Sequence, residues 1–350
     1  MIQLDSLSAL GSLPFDEVID VRSPAEFAED HVPGAISLPV LSNAERAEVG
    51  TIYKQVDPFV ARKVGAALVA KNAARHLQGP LADRPYRWRP LVYCWRGGQR
   101  SGSFASILAQ IGWRADTIEG GYKAYRKLVV QEVYDRQPAP RLVLLDGNTG
   151  TAKTRLLALL AEAGAQVLDL EGLAEHRGSL FGGFGGLQAP QPSQKMFESR
   201  LAAALQGFDP AQVVFAEAEA AKIGDLLVPK GVWQGMLAAE RIEISAPLAA
   251  RADFLMQSYS DLIEDGAVLA ARLDKLRPYH AAEVIEEWHG LAAAGSFHAL
   301  AQQLMALHYD PRYAKAAERR RPPVARVALE RLDDAALRAA VPKILAAARV

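Results

Sequence analysis

Twice in this chain a short apolar strand runs into a glycine-bearing loop that opens directly onto a helix. First comes Pro90-Leu91-Val92-Tyr93, then Cys94-Trp95-Arg96-Gly97-Gly98-Gln99-Arg100-Ser101, then a helix over 102–111 closed by Gly112. Later comes the strand 141–146, then Gly147-Asn148-Thr149-Gly150-Thr151-Ala152-Lys153-Thr154, then a helix from Arg155 to Leu160. A buried strand that hands over to a helix is the repeating unit of a parallel sheet covered by helices. Each occurrence therefore predicts an α/β domain, and each loop predicts an anion cradle. Its backbone N–H groups converge in front of the positive end of a helix.

The 350 residues are enough for two domains with separate cores. The pattern restarts after Gln137-Pro138-Ala139-Pro140, which predicts one α/β domain over 1–136 and a second over 141–250. Beyond 250 the chain is rich in Ala, Leu, Glu and Arg. Residues 251–350 are therefore expected to form a helical region packed on the second domain. The single cysteine, Cys94, excludes an intramolecular disulfide and a Cys-rich zinc module, and it fits a reducing cytoplasm. No signal-peptide pattern opens the chain, and no run approaches the ~18–20 apolar residues of a membrane span. A cytoplasmic monomer is expected. Forty basic residues balance forty acidic ones, yet residues 301–350 hold ten Lys/Arg against five Asp/Glu. The neutral total thus hides a basic tail and leaves room for RNA.

Cys94 ends a strand at a helix start, flanked by Arg96 and Arg100, where a thiol should have a lowered pKa. A free cysteine is otherwise most often a buried core residue. The strings Asp20-Val21-Arg22-Ser23-Pro24-Ala25-Glu26-Phe27, His31-Val32-Pro33-Gly34-Ala35-Ile36, the Cys94 loop, and Ile118-Glu119-Gly120-Gly121-Tyr122 together resemble a rhodanese domain. The resemblance implies that Cys94 carries a chalcogen, with Asp20 and Arg22 paired beneath the loop for the fold. One spacing departs from it: five residues, not four, separate Cys94 from Arg100. Cys-x5-Arg is also the phosphate-binding spacing of cysteine phosphatases, although Tyr93 stands where those carry His. Taken alone, the loop specifies a thiolate facing an anion, and both chemistries stay open.

The second loop is a P-loop with Ala152 in place of the glycine before Lys153. Gly147 to Thr154 would cradle a diphosphate, Lys153 would neutralise it, and the Thr154 hydroxyl could hold Mg²⁺. Ala152 is expected in a right-handed conformation, where its methyl is tolerated. Gln212–Glu219 reads as a second strand ending in the acidic residues Glu217 and Glu219, which suit either a metal-binding acid or an ordinary helix start. No resident metal set and no tightly bound cofactor are put forward.

Three interior strings narrow the family: Leu170-Glu171-Gly172-Leu173-Ala174-Glu175-His176-Arg177-Gly178-Ser179-Leu180-Phe181-Gly182, Gln191-Pro192-Ser193-Gln194-Lys195-Met196-Phe197-Glu198, and Glu217-Ala218-Glu219-Ala220-Ala221-Lys222-Ile223-Gly224. With the Cys94 loop they resemble the tRNA 2-selenouridine synthases over about residues 14–256. That resemblance implies S-geranylation of a wobble 2-thiouridine by geranyl diphosphate, followed by selenium transfer from selenophosphate. It implies a diphosphate role for Arg177, an acid or diphosphate role for His176, and an apolar pocket near Lys153. Phe181, Phe184 and Phe197 are candidates for that pocket. Gly182–Gly186 reads as a loop that closes over substrate or as a plain connector. For tRNA, two basic patches are candidates: Arg319-Arg320-Arg321, and Arg84, Arg87, Trp88 and Arg89 leading into Trp95, Arg96 and Arg100. The rival readings are a rhodanese-fold phosphatase or sulfurtransferase with a nucleotide-binding domain, and a nucleotide-dependent switch in which Cys94 only packs.

Overall fold

The structure is a computed structural model that describes residues 1–136, 140–178, 181, 190–317 and 321–349. It divides into two compact units. One comprises Met1–Arg136 with Pro192–Gln206; the other comprises Gln137–Gln191 with Gly207–Val350.

The first unit is built on four parallel strands: β1 (Glu17–Asp20), β2 (Ile36–Ser37), β3 (Pro90–Tyr93) and β4 (Asp116–Thr117), in the order β2-β1-β3-β4. Strand β3 is buried throughout, because helices cover both faces of a parallel sheet. Helix α1 (Pro24–Glu29) starts on a capping box between Ser23 and Glu26. Helices α2 (Asn43–Gln55) and α3 (Pro58–Gln78) form a hairpin, and Asp57 caps α3 by accepting from the N–H groups of Phe59 and Val60. Helix α4 (Gln99–Ile111) follows the Cys94 loop and ends, as its sequence predicts, on Gly112 in the left-handed region. Helix α5 (Gly121–Val130) completes the set. Because the strands are parallel and Asp20 pairs with Tyr93, Arg22 and Cys94 emerge on the same edge of the sheet. Arg89 precedes β3 and so lies at the opposite edge.

The helix Gln194–Gln206 belongs to this unit, although the sequence places it within the second domain. It packs on α5 and the turn after it. Its Phe197, Leu201 and Leu205, at helical spacing, are buried. The polar flank is matched to the first unit: Ser199 donates to Asp30 Oδ2 at 2.9 Å, beside the Tyr122 hydroxyl at 2.7 Å. Tyr134 donates to Glu198 at 2.6 Å, and Arg126 pairs with the same glutamate. Chain order misled here because an amphipathic helix does not name the core that it covers.

The second unit holds β5 (Leu142–Asp146), β6 (Gln166–Leu168) and β7 (Val214–Glu217), an antiparallel hairpin of β8 (Lys222–Ile223) and β9 (Leu226–Leu227), then β10 (Glu240–Ser245) and β11 (Ala325–Ala328). The main sheet is parallel, in the order β11-β10-β5-β7-β6. Helix α6 (Lys153–Glu162) follows the P-loop, and the single turn α7 (Leu170–Leu173) follows β6. The region after 250 is not helical throughout. It returns to the sheet as β11, a four-residue edge strand too short to stand out in an Ala/Arg-rich sequence, and the helix Asp334–Ala347 then packs on α6. The helices between Leu248 and Ala317 close a second core around the fully buried Trp288. Among the described residues no helix is long and apolar enough to cross a membrane.

Phe197→Ala should remove about 3–5 kcal/mol from the first unit. Calorimetry should show one transition falling while the other stays; an unchanged thermogram would contradict the docking of this helix.

Candidate active sites

The first site is the Cys94 loop. Gly97 and Gly121 adopt positive φ angles, and a Cβ on Gly121 would lie 2.2 Å from the Cys94 carbonyl oxygen, so the loop can settle only on glycine. Two backbone bonds hold it there, from Tyr122 N–H to the Cys94 carbonyl at 2.8 Å and from Lys123 N–H to the Trp95 carbonyl at 3.1 Å. Beneath lies the expected Asp20–Arg22 pair. The Arg22 guanidinium binds both carboxylate oxygens of Asp20 and the Asp30 carbonyl, and sits 4.0 Å from the centre of the Tyr122 ring. Both charges are fully buried, so removing either would strand the other.

The thiol itself is 4% exposed. Burial alone would raise its pKa. The Ser101 hydroxyl, which donates to Sγ at 3.2 Å, outweighs that together with the Ser101 and Arg96 backbone N–H groups and the Arg100 charge. The net effect lowers the pKa below the usual thiol value, which favours the thiolate. Arg100 is held by Glu26 through two bonds, at 2.7 and 3.2 Å. Glu26 pairs with Arg100 in addition to capping α1, a role that sequence reading missed. Trp95 is half-buried against the Tyr122 ring, while Arg96, Gly98 and Gln99 are exposed at the helix start.

The structure separates the predicted tRNA patch at Arg84, Arg87, Trp88 and Arg89 from this loop. Trp88 is 4% exposed and packs edge-on against Trp113, so it has no face for a base. Arg84 and Arg89 pair with Glu17 and Asp16, and Arg87 is exposed beside them, at the sheet edge opposite Cys94. Sequence proximity hid the length of β3, which carries Arg89 and Cys94 to opposite edges. In the second patch Arg321 is exposed, and its carbonyl accepts from Arg241. Arg319 and Arg320 lie outside the described residues, as do Gly182–Gly186 and Phe184.

The second site is the P-loop. Gly147, at φ 153°, lies so close to β10 that a Cβ would meet the Ile244 carbonyl oxygen at 2.4 Å. Thr151 donates to the Asn148 carbonyl at 2.8 Å, and Lys153 Nζ to the Gly147 carbonyl at 2.8 Å, so the loop closes on itself around its lysine. Thr149 and Gly150 rest against Arg251, whose guanidinium donates to the Thr149 carbonyl and pairs with Asp310. Ala152 is not right-handed: at φ 60° and ψ 29° it occupies the left-handed region, where a non-glycine residue costs ~1–2 kcal/mol. Its methyl is buried in the core beneath α6, which compensates for part of that strain.

Glu217 and Glu219 do reach this loop, joined by Glu171, which no local sequence signal marks as a site residue. The three carboxylates offer oxygens within 4.8 Å of one another. Thr154 donates to Glu217 at 2.5 Å and to Glu171 at 3.3 Å. Burial and the neighbouring carboxylates raise the pKa values of Glu171 and Glu217, and Lys153 partly opposes this. Glu217 Oε2 is buried without a hydrogen-bond partner. A hard divalent cation fits this all-oxygen set, so Mg²⁺ would be held by Thr154 and the glutamates. Arg177 lines the same cleft and lies over the Tyr259 ring. His176 is not in that lining. Its Nδ1 accepts from Gly178 N–H, and burial and the nearby Arg272 charge lower its pKa.

An apolar pocket shares Thr149, Leu255, Tyr259 and Tyr309 with the P-loop cleft. Phe181 lines it, as the sequence suggested, with Met256, Leu300 and Leu304. Phe197 lies in the other unit and has no part in it.

Two family models match the chain. A family model for the tRNA 2-selenouridine synthase AAA domain matches residues 140–275, and one for the rhodanese-like domain matches 4–128. The tRNA 2-selenouridine synthase of Nitrosomonas europaea is 36% identical over 74% of this chain and 67% of its own. That of Nitrosomonas eutropha is 34% identical over 82% and 73%, and that of Chromohalobacter salexigens 39% identical over 70% and 66%.

Burial would raise the Glu26 pKa, but Arg100 and Ser23 hold it at about 2, against 4.5 for a free glutamate. A depressed carboxylate stabilises the fold above its unfolded pKa and loses that contribution as pH falls through the folded value. Glu26→Gln should therefore cost on the order of 3 kcal/mol at pH 7. Denaturant melts should show the gap closing between pH 4.5 and 2; a pH-independent gap would contradict the ion pair.

Proposed function

The chain belongs to the tRNA 2-selenouridine synthase family, and we propose that it replaces the sulfur of a wobble 2-thiouridine in tRNA by selenium in two steps. Geranyl diphosphate first alkylates the sulfur. Carbon–sulfur bond formation displaces diphosphate, and a poor leaving group becomes a good one. Selenophosphate then supplies selenium at the same carbon. S-Geranyl-2-thiouridine, selenophosphate and water give 2-selenouridine, thiogeraniol and phosphate, with no change in oxidation state and no ATP.

The observation that carries this reading is the apolar pocket opening beside the P-loop. A nucleotide triphosphatase needs a base site next to its phosphates; this cleft instead continues into a lining of Leu, Met, Phe and Tyr side chains, which suits a prenyl chain. The P-loop N–H groups and Lys153 would take the diphosphate as charge develops on it, with Arg177 beside them. Mg²⁺ bound by Thr154 and the glutamates would supply further charge neutralisation. The second step falls to the Cys94 loop. Its five-residue spacing leaves room for the tetrahedral phosphate of the donor, and its lowered pKa raises the thiolate fraction.

The two sites should separate by mutation. Lys153→Ala should block geranylation while sparing selenation of tRNA geranylated beforehand, and Cys94→Ala should do the reverse, read by nucleoside mass spectrometry. Ala301→Trp, which fills the apolar pocket, should raise the KM for geranyl diphosphate at least ~10-fold by excluding the chain. Loss of both steps in the Lys153 variant, or an unchanged KM, would overturn the assignment.

A further inference from the structure

The tRNA patches read from sequence leave open how the anticodon arm reaches Cys94. We propose that it lies in the groove between helices α2 and α3, an inference that rests on the tRNA reading above. The groove, of about 640 Å³, extends to Gln99 and Arg100 of the Cys94 loop. Its other charged lining residues are Arg46, Lys54 and Arg62, and no carboxylate lines it. Glycines at 50 and 65 keep its walls low.

These charges differ in how far they are already satisfied. Arg100 is committed to Glu26, and Arg46 reaches the same carboxylate only at 3.9 Å. Glu45 is turned away, bonded to Ser42 and Asn72. Among the described residues neither Lys54 nor Arg62 pairs with an acid. A cationic groove lined by no carboxylate, in which Lys54 and Arg62 pair with no acid among the described residues, has the electrostatic footprint of a phosphate backbone.

Aromatic rings accompany the charge. Tyr53 is 59% exposed in the groove, and Phe59 is 60% exposed at the hairpin turn, with Arg62 and Lys63 5.8 and 5.7 Å from its ring centre. Exposed rings interleaved with cations bind unpaired bases by stacking while neighbouring phosphates are neutralised. An anticodon loop offers both, and the groove ends where its wobble base must be presented. An acidic protein segment would use the cations but not the exposed rings.

The test uses the full chain and tRNA bearing 2-thiouridine, with affinity measured by fluorescence anisotropy over a range of salt. Lys54→Glu with Arg62→Glu should weaken binding at least ~10-fold and lower the salt slope by about 1.4, two single-strand phosphate contacts. Tyr53→Ala should weaken it roughly 5-fold or more with the slope unchanged, and Tyr53→Phe should restore it. Melting temperatures matching the parent confirm that these exposed positions leave the fold intact. Parental affinity and slope in the folded variants would overturn the groove and assign it to another partner. Failure of the parent protein to bind this tRNA would instead overturn the functional reading.

Discussion

A parallel strand that hands over to a helix leaves the first N–H groups of that helix without backbone acceptors, at the edge where its neighbours also end. This unmet demand underlies both candidate sites. After β3 it is directed at the sulfur of Cys94, and after β5 it is directed at the space beside Lys153. Each unit then devotes buried polar groups to holding its loop still. Arg22, pinned by Asp20 and the Asp30 carbonyl, supports the Cys94 loop from below. Arg251, pinned by Asp310, backs the P-loop. Neither makes the chemistry, yet both fix where N–H groups point, and a preorganised donor costs nothing to reorient during reaction.

The two cradles differ in what surrounds them, and that difference divides the labour. Around Cys94 the balance of burial against Ser101, backbone N–H groups and Arg100 favours a thiolate. Around the P-loop three glutamates gather beside a lysine, and the wall turns apolar toward Phe181 and Leu300. On the proposed reading, the nucleophile and the prenyl diphosphate need different surroundings, and the two separate cores would provide them.

Much of this was legible in the sequence because its signals were local. Pro90–Tyr93, the helix ending at Gly112, and the strand into the P-loop are set by neighbours a few residues away. The Asp20–Arg22 pair and the Cys94 loop followed from strings that match a known family. What was not legible depended on distant partners. The helix at 194–206 shows an apolar stripe but not the core it covers. Trp88 reads as a stacking ring until Trp113 closes over it. Ala152 reads as ordinary helix, yet it stands left-handed at the cap of α6. Glu171 lies in an unremarkable helical turn, and the fold brings it to Glu217. The α2–α3 groove has no motif at all, because its cations come from two helices and the Cys94 loop and meet only in the fold.

The central claim is that one chain first alkylates the thiouridine and then exchanges it. The direct measurement is a time course with the parent protein, 2-thiouridine tRNA, geranyl diphosphate and selenophosphate, quenched and digested for nucleoside mass spectrometry. S-Geranyl-2-thiouridine should rise without lag and decay as 2-selenouridine appears after a lag, with thiogeraniol released one for one. Selenouridine formed without geranyl diphosphate, or formed with no lag behind the geranylated nucleoside, would contradict the account.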